Sequence, residues 1–148
     1  MTRNHDWDGF DKFNNSNLVE RIYWGEVCLV CIIRASFVPD KTTFFTPPDY
    51  KQQVGYVVYR TGGIIHRHVH RALERQLVGT SEVLVVRRGR CEMDIYNDER
   101  ALVATRELGE GDIVLMVNGG HGFRMIDDTV FLEIKQGPYT GVDEKELF

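Results

Sequence analysis

Cysteine is scarce in this chain: there are three, Cys28, Cys31 and Cys91. So small and odd a number excludes a disulfide-stapled scaffold. Positive charge is not in excess either. Lys and Arg together number 18 against 22 Asp and Glu, for a net charge of −4 and a pI near 5.7. The basic footprint of nucleic-acid binding is therefore missing. No apolar run approaches the roughly 20 residues of a membrane span. The opening Met-Thr-Arg-Asn-His-Asp-Trp-Asp lacks the apolar stretch of a secretion signal. These absences lead to the expectation of a cytoplasmic protein with no nucleic-acid or membrane partner. Sustained 3.6-residue periodicity is missing as well, and no internal repeat stands out.

What is present fits one ordinary globular domain. The 148 residues are 43% hydrophobic and 27% charged, enough to build a core. After a polar stretch rich in Asn and Asp, short β-prone runs follow one another, separated by turn signals. Val27–Ile33 is aliphatic and β-branched. Extended pieces are expected over residues 42–46 and 53–60. Residues 82–86 and 90–96 read as a hairpin about Gly89, residues 101–107 and 112–117 as strands, and residues 123–126 and 129–135 as a last hairpin. Many short strands with regular turns imply an all-β sandwich or barrel. The division is a flexible N-terminal arm over residues 1–17, a β-barrel over 18–137 and an irregular tail over 138–148. Cys28-Leu29-Val30-Cys31 has CxxC spacing but falls inside a strand. Residues three apart in a strand face opposite sides, so the thiols are expected to diverge into the core rather than form a redox pair.

The chemistry is concentrated in Gly62-Gly63-Ile64-Ile65-His66-Arg67-His68-Val69-His70 and Gly119-Gly120-His121-Gly122-Phe123. If the first segment is a strand, its three histidines share one face while Arg67, Val69 and Arg71 take the other. Imidazoles converging from one strand, joined by a further histidine and a carboxylate, make a transition-metal donor set. The aromatics Trp24, Tyr56, Tyr59 and Phe123 are expected mainly to pack, with Phe123 sharing the face of His121. Glu133 and Lys135 alternate with Phe131 on one face of the last strand, read here as a solvated face. Arg87, Arg88 and Arg90 flank a turn and are expected in solvent. Gly119-Gly120 does not open a helix, as a phosphate loop would.

These residues resemble the two motifs of the cupins, G-x5-HxH-x3,4-E-x6-G and G-x5-PxG-x2-H-x3-N. Gly62, five residues and His68-Val69-His70 match the front of the first; Glu82, six residues and Gly89 match its back. Gly111-Asp-Ile-Val-Leu-Met-Val-Asn-Gly119-Gly-His121 matches part of the second. The resemblance spans residues 53–137. It departs from the pattern where eleven residues separate His70 from Glu82, where Val117 replaces proline, and where His121 stands ten rather than eleven residues after Gly111. The motif's closing Asn is replaced by Met125. Glu74 has the regular spacing after His70, but Glu82 opens a clean strand that turns at Gly89. Glu82 is therefore preferred, with Glu74 in an extra loop whose closure cost grows only logarithmically with length. Thr43-Phe-Phe-Thr-Pro-Pro-Asp and Glu133-Ile-Lys-Gln-Gly-Pro-Tyr139 further resemble small bacterial cupins, some of which accompany surface-polysaccharide genes.

The resemblance implies a single-domain cupin jelly-roll barrel, the double-stranded β-helix. It implies one divalent transition metal (Fe, Mn, Ni, Co or Zn) held by His68, His70, Glu82 and His121. His66 is a spare histidine that can serve acid–base catalysis. The expected function is metal-dependent chemistry (isomerase, lyase or dioxygenase) on a small polar molecule such as a sugar derivative or organic acid. Two alternatives stand beside it: a non-catalytic ligand-binding or partner cupin of polysaccharide biosynthesis, and a metal-free sugar-nucleotide epimerase or isomerase using His66 or His70 as base. A homodimer is expected, with Glu26–Ile33 and the tail ending in Leu147-Phe148 as candidate surfaces.

Overall fold

A computed structural model describes residues 17–141 and 144–148; most of the expected N-terminal arm lies outside the described residues. Among the described residues there are ten strands: β1 (Val19–Trp24), β2 (Val27–Ile33), β3 (Thr43–Phe44), β4 (Gly55–Tyr56), β5 (Glu82–Arg88), β6 (Cys91–Tyr96), β7 (Leu102–Leu108), β8 (Ile113–Met116), β9 (Gly120–Met125) and β10 (Val130–Lys135). The domain is all-β, and every ladder is antiparallel. Among the described residues no helix is long and apolar enough to cross a membrane.

Five strands form one sheet in the order β1-β2-β8-β5-β10, three form a second in the order β7-β6-β9, and β3 and β4 make a small third pair. The two larger sheets close over a core of Leu29, Val30, Ile32, Leu84, Val86, Met93, Ile95, Leu108 and Val114. The opposite face of the five-stranded sheet is covered too. There Val19, Cys31, Ile33, Val83 and Leu115 pack under Phe45, with Phe37 and Tyr56 alongside. A strand buried on both faces needs apolar residues at every position rather than alternation. That is why Val27–Ile33 reads as an unbroken aliphatic run, and why all of it after Val27 is buried. Lying between β1 and β8, β2 has no free edge.

A bulge in β2 changes the expectation for the thiols. Ile22 pairs with Val30 and Tyr23 with Cys28, leaving Leu29 as the extra residue. One inserted residue reverses the alternation of faces. Cys28 therefore joins Cys31 on the face of Arg21 instead of diverging from it. Both remain free and buried, as does Cys91. Burial pushes the Cys31 thiol up to about 12, against the pull of Arg21.

The two expected hairpins are not hairpins. β5 and β6 lie in different sheets, as do β9 and β10. At each place the chain crosses from one sheet to the other, and the two crossings brace one another. Ile126 N and Asp127 N donate to Arg90 O at 2.9 and 3.2 Å, and the Arg90 guanidinium reaches Asp127 Oδ2 at 2.8 Å. Gly89 sits at the corner with φ 83°, against the Asp128 carbonyl. A Cβ there would collide with backbone, so glycine is what permits the crossing. β1 was not read from the sequence, and residues 53–60 contribute only the two-residue β4.

Candidate metal centre

The register places the site residues. Glu82 opens β5, where it pairs with Met116 of β8 and Lys135 of β10. Met116 belongs to the core between the sheets, so Glu82 points into the sandwich. On the facing sheet, His121 pairs with Ile95 and Phe123 with Met93, both fully buried in the same core. His121 and Phe123 therefore share the inner face, as expected, and their rings are 5.8 Å apart. His121 Nε2 lies 3.2 Å from Glu82 Oε2, with side chains 29% and 10% exposed. The carboxylate of one sheet thus meets the imidazole of the other.

The local structure that aims His121 is the turn between β8 and β9. Val117 N and Asn118 N both donate to Leu29 O, at 2.9 and 3.3 Å, and Asn118 Nδ2 donates to Cys28 O at 2.9 Å. Gly119 follows with φ 71°, directly beneath the Tyr96 carbonyl. Only a residue without Cβ fits there, and β9 begins at the next position. The Gly119-Gly120 pair therefore serves the turn.

Burial lowers the pKa of His121, Glu82 opposes that shift, and Lys145 adds to it. The neutral imidazole is favoured, which is the form that binds metal or accepts a proton. Glu133 also acts on His121. Its register opposite Leu84, and that of Lys135 opposite Glu82, put both on the inner face. The register corrects the outward face expected for this pair, because β10 keeps the phase of β5, while the expected exposure holds: Glu133 is exposed and Lys135 half-buried at the open end, or mouth, of the inner face. Phe131 completes that mouth, its ring 5.5 Å from Phe123. Glu133, Lys135 and Lys145 were not singled out as part of a site. The alternation of Glu133 and Lys135 with Phe131 was the available signal; nothing local marks Lys145.

His66, His68 and His70 lie elsewhere. The segment carrying them is not a strand: residues 57–81 make no ladder, and residues 59–80 are exposed throughout. Residues 72–81 form no helical turn either. His68 and His70 are neighbours, their rings 5.2 Å apart, and the His68 Nδ1 contacts His66 O at 2.8 Å. Among the described residues no group of three or more His, Cys, Asp or Glu is gathered about one point. The structure brings Glu82 and His121 together and leaves His68 and His70 as a second pair on an extended segment. Glu74 lies in that segment, in solvent.

The chain matches no protein-family model, no curated protein and no solved structure.

Among the aromatics, Tyr56 packs against Phe37 and Phe45. Trp24 and Tyr59 are 40% and 49% exposed, so the expectation of packing fails for them. Each sits where its element runs out: Trp24 at the end of β1, Tyr59 where the exposed segment begins. Arg87, Arg88 and Arg90 are exposed as expected, with Arg90 bridging Glu107 and Asp127.

Proposed function

We propose that this chain is a cupin-type jelly roll that holds one divalent transition metal through His68, His70, Glu82 and His121, and acts on a small polar molecule. The observation that carries this reading is the meeting of Glu82 and His121, which come from different sheets and from two separate motifs. Three neutral imidazoles and one carboxylate suit Fe, Mn, Ni, Co or Zn in chemistry. Here they stand as two pairs, one preformed in the sandwich and one on the exposed segment. Bound there, such an ion supplies Lewis acidity toward a substrate oxygen.

The chain's own residues shape the rest of the mouth. Glu133 and Lys135 offer an acceptor and a donor on the inner face, suited to orienting hydroxyl, carbonyl or carboxylate groups. Phe123 and Phe131, stacked beside His121, add an apolar surface to the mouth. A sugar derivative or small organic acid matches that combination. A second reading, acid–base chemistry without metal, is favoured by the hydrogen bond that orients His121 and by the burial that keeps it neutral.

Elemental analysis of protein purified without an affinity tag tests the first reading. Near-stoichiometric metal, lost in His68→Ala and His70→Ala and kept in Glu74→Ala, is the expected result. Turnover on a panel of sugars and organic acids that survives chelation selects the second reading. Absence of metal even after titration with each of the five ions refutes the first.

A further inference from the structure

We infer that the tail completes the mouth: latched to the facing sheet by Phe148, it holds Lys145 beside His121 to bind an anionic group, carboxylate or phosphate, of the small molecule. This rests on the reading of the mouth as a ligand site and adds which end of the ligand is recognised, and by which residue.

The tail runs from one sheet to the other at the end where Glu82 and His121 meet. It leaves β10 at Lys135, the register partner of Glu82. There Gln136 Oε1 accepts from Ser81 N at 2.6 Å, and Lys135 Nζ lies over the Tyr139 ring, 5.9 Å from its centroid. At the other end Phe148 stands against the three-stranded sheet. Its ring meets that of Tyr96 edge to face, 5.2 Å between centroids, and the Arg100 guanidinium lies over it at 5.4 Å. A Cβ on Gly120 would come within 3.0 Å of the same ring. Gly120 is the ladder partner of Tyr96 and immediately precedes His121. One end of the tail is thus fixed beside Glu82 and the other beside His121.

Lys145 is tied on both sides. Thr140 N and Oγ1 donate to Glu144 Oε1 at 3.1 and 2.7 Å, and Arg100 reaches Glu146 Oε1 at 2.5 Å. Both neighbouring carboxylates are therefore spent on other partners. Among the described residues neither Lys145 nor Lys135 forms an ion pair. The charge of Lys145 nevertheless acts on His121, so it stands near the imidazole.

Ordering residues 144–148 costs conformational entropy, which the Phe148 stack and the Arg100 contacts offset. What that order accomplishes at the mouth is to hold an ammonium group there with no carboxylate of its own. An ammonium is a compact point charge with three donors, and its complement is an anionic oxygen. Glu133, exposed on the same inner face, offers an acceptor to a hydroxyl. An acid that also carries hydroxyl groups engages both, which a neutral sugar does not. Phe148 itself is 62% exposed, so the latch is shallow and its removal leaves the core intact.

Titration of metal-free protein with succinate, with inorganic phosphate and with neutral butanediol, followed by amide NMR shifts, tests the inference. At least one anion is expected to move the amides of His121 and Lys135 saturably, while butanediol does not. The anion that binds more tightly identifies the group as carboxylate or phosphate. Lys145→Gln is expected to weaken that binding about three- to tenfold, the exposure of the pair limiting the effect, and to flatten its dependence on NaCl. Lys41→Gln, outside the mouth, is expected to change neither. Phe148→Ala is expected to weaken binding as much as Lys145→Gln, with unchanged circular dichroism, and to add nothing in the double variant, because it acts by positioning Lys145.

Binding of neither anion, equal binding by wild type and Lys145→Gln, or additive losses for the two variants overturns the inference. None of these readouts needs the metal. Anion binding through Lys145 in a protein that takes up no Zn(II) refutes the metal reading alone. Uptake of Zn(II) with anion binding indifferent to Lys145 refutes this inference alone.

Discussion

Removing His121 tests the centre most directly, because its partner is fixed and buried. Glu82 is 8% exposed, and its Oε2 lies 3.2 Å from His121 Nε2. His121→Ala leaves that carboxylate with neither the imidazole nor full access to water. A hydrogen bond to a charged group is worth about 1.5–3 kcal/mol, and stranding a buried acceptor costs a similar amount. The imidazole is itself 29% exposed, so water recovers part of this loss, and about 1–2 kcal/mol of destabilisation is expected. At this chain length that is a fall of roughly 3–8 °C in Tm. The pairwise part is isolated by a double-mutant cycle with Glu82→Gln at pH 7.5, using urea denaturation of metal-free protein followed by circular dichroism. Coupling of about 1 kcal/mol is expected, because Gln in the double variant strands no charge. The pH dependence follows from the lowered pKa of His121. The folded state resists protonation more than the unfolded chain, whose histidine titrates near 6.5. Stability is therefore full above that value and is lost as pH falls toward the depressed folded pKa. Glu82→Gln removes the charge that opposes the shift, so its loss on acidification is steeper. Additivity within about 0.3 kcal/mol, or stability that rises on acidification from pH 7 to 5.5, refutes the pairing.

Gly119→Ala is expected to cost about 2–4 kcal/mol, from the left-handed backbone and the collision with the Tyr96 carbonyl, and to weaken metal uptake by displacing β9. Gly109→Ala, where a Cβ meets nothing, is expected to stay within about 0.5 kcal/mol of wild type in the same thermal melts. A thiol reagent at pH 8 is expected to label none of Cys28, Cys31 and Cys91 in native protein and all three in denaturant, because burial raises each thiol. Rapid labelling of Cys28 and Cys31 in native protein, or their oxidation to a disulfide without unfolding, contradicts the assignment to the core.

The all-β class was legible because β5 to β10 carry strong local signals: β-branched runs, turn residues at Gly89 and Gly111, and alternation in β6 and β10. Which strands pair was not legible. Gly89 and the Asp127-Asp128 turn look like hairpin turns, but a turn residue fixes only a change of direction. Whether the chain re-enters its own sheet or crosses to the facing one depends on packing, here on Arg90 tying the two corners together. The Cys28–Cys31 geometry failed for a similar reason. A bulge depends on the partner strand, and one extra residue at Leu29 inverts every face beyond it. Of the candidate site, Glu82 and His121 were readable from motif spacing despite the eleven-residue interval before Glu82. The strand assigned to His66, His68 and His70 was read from alternation alone, and alternation states which face a residue would take only once a ladder exists.

That last point links fold to function. The histidine segment has the pattern of a strand and stands free; the mouth has the edges of a sheet and lacks strands. The Glu82–His121 pair lies between those edges, preformed by β5 and β9, with Glu133 and Lys135 on the same inner face. On the proposed reading half the donors stand in the sandwich and half on a segment tied at its ends, which would make ordering of the segment and completion of the site one event. Metal affinity in such a design contains the cost of ordering the segment. It should therefore respond to charged substitutions at apolar positions of that segment, such as Ile65→Asp with Val69→Asp, as well as to loss of a ligand. A site assembled wholly on rigid strands would respond only to the ligands.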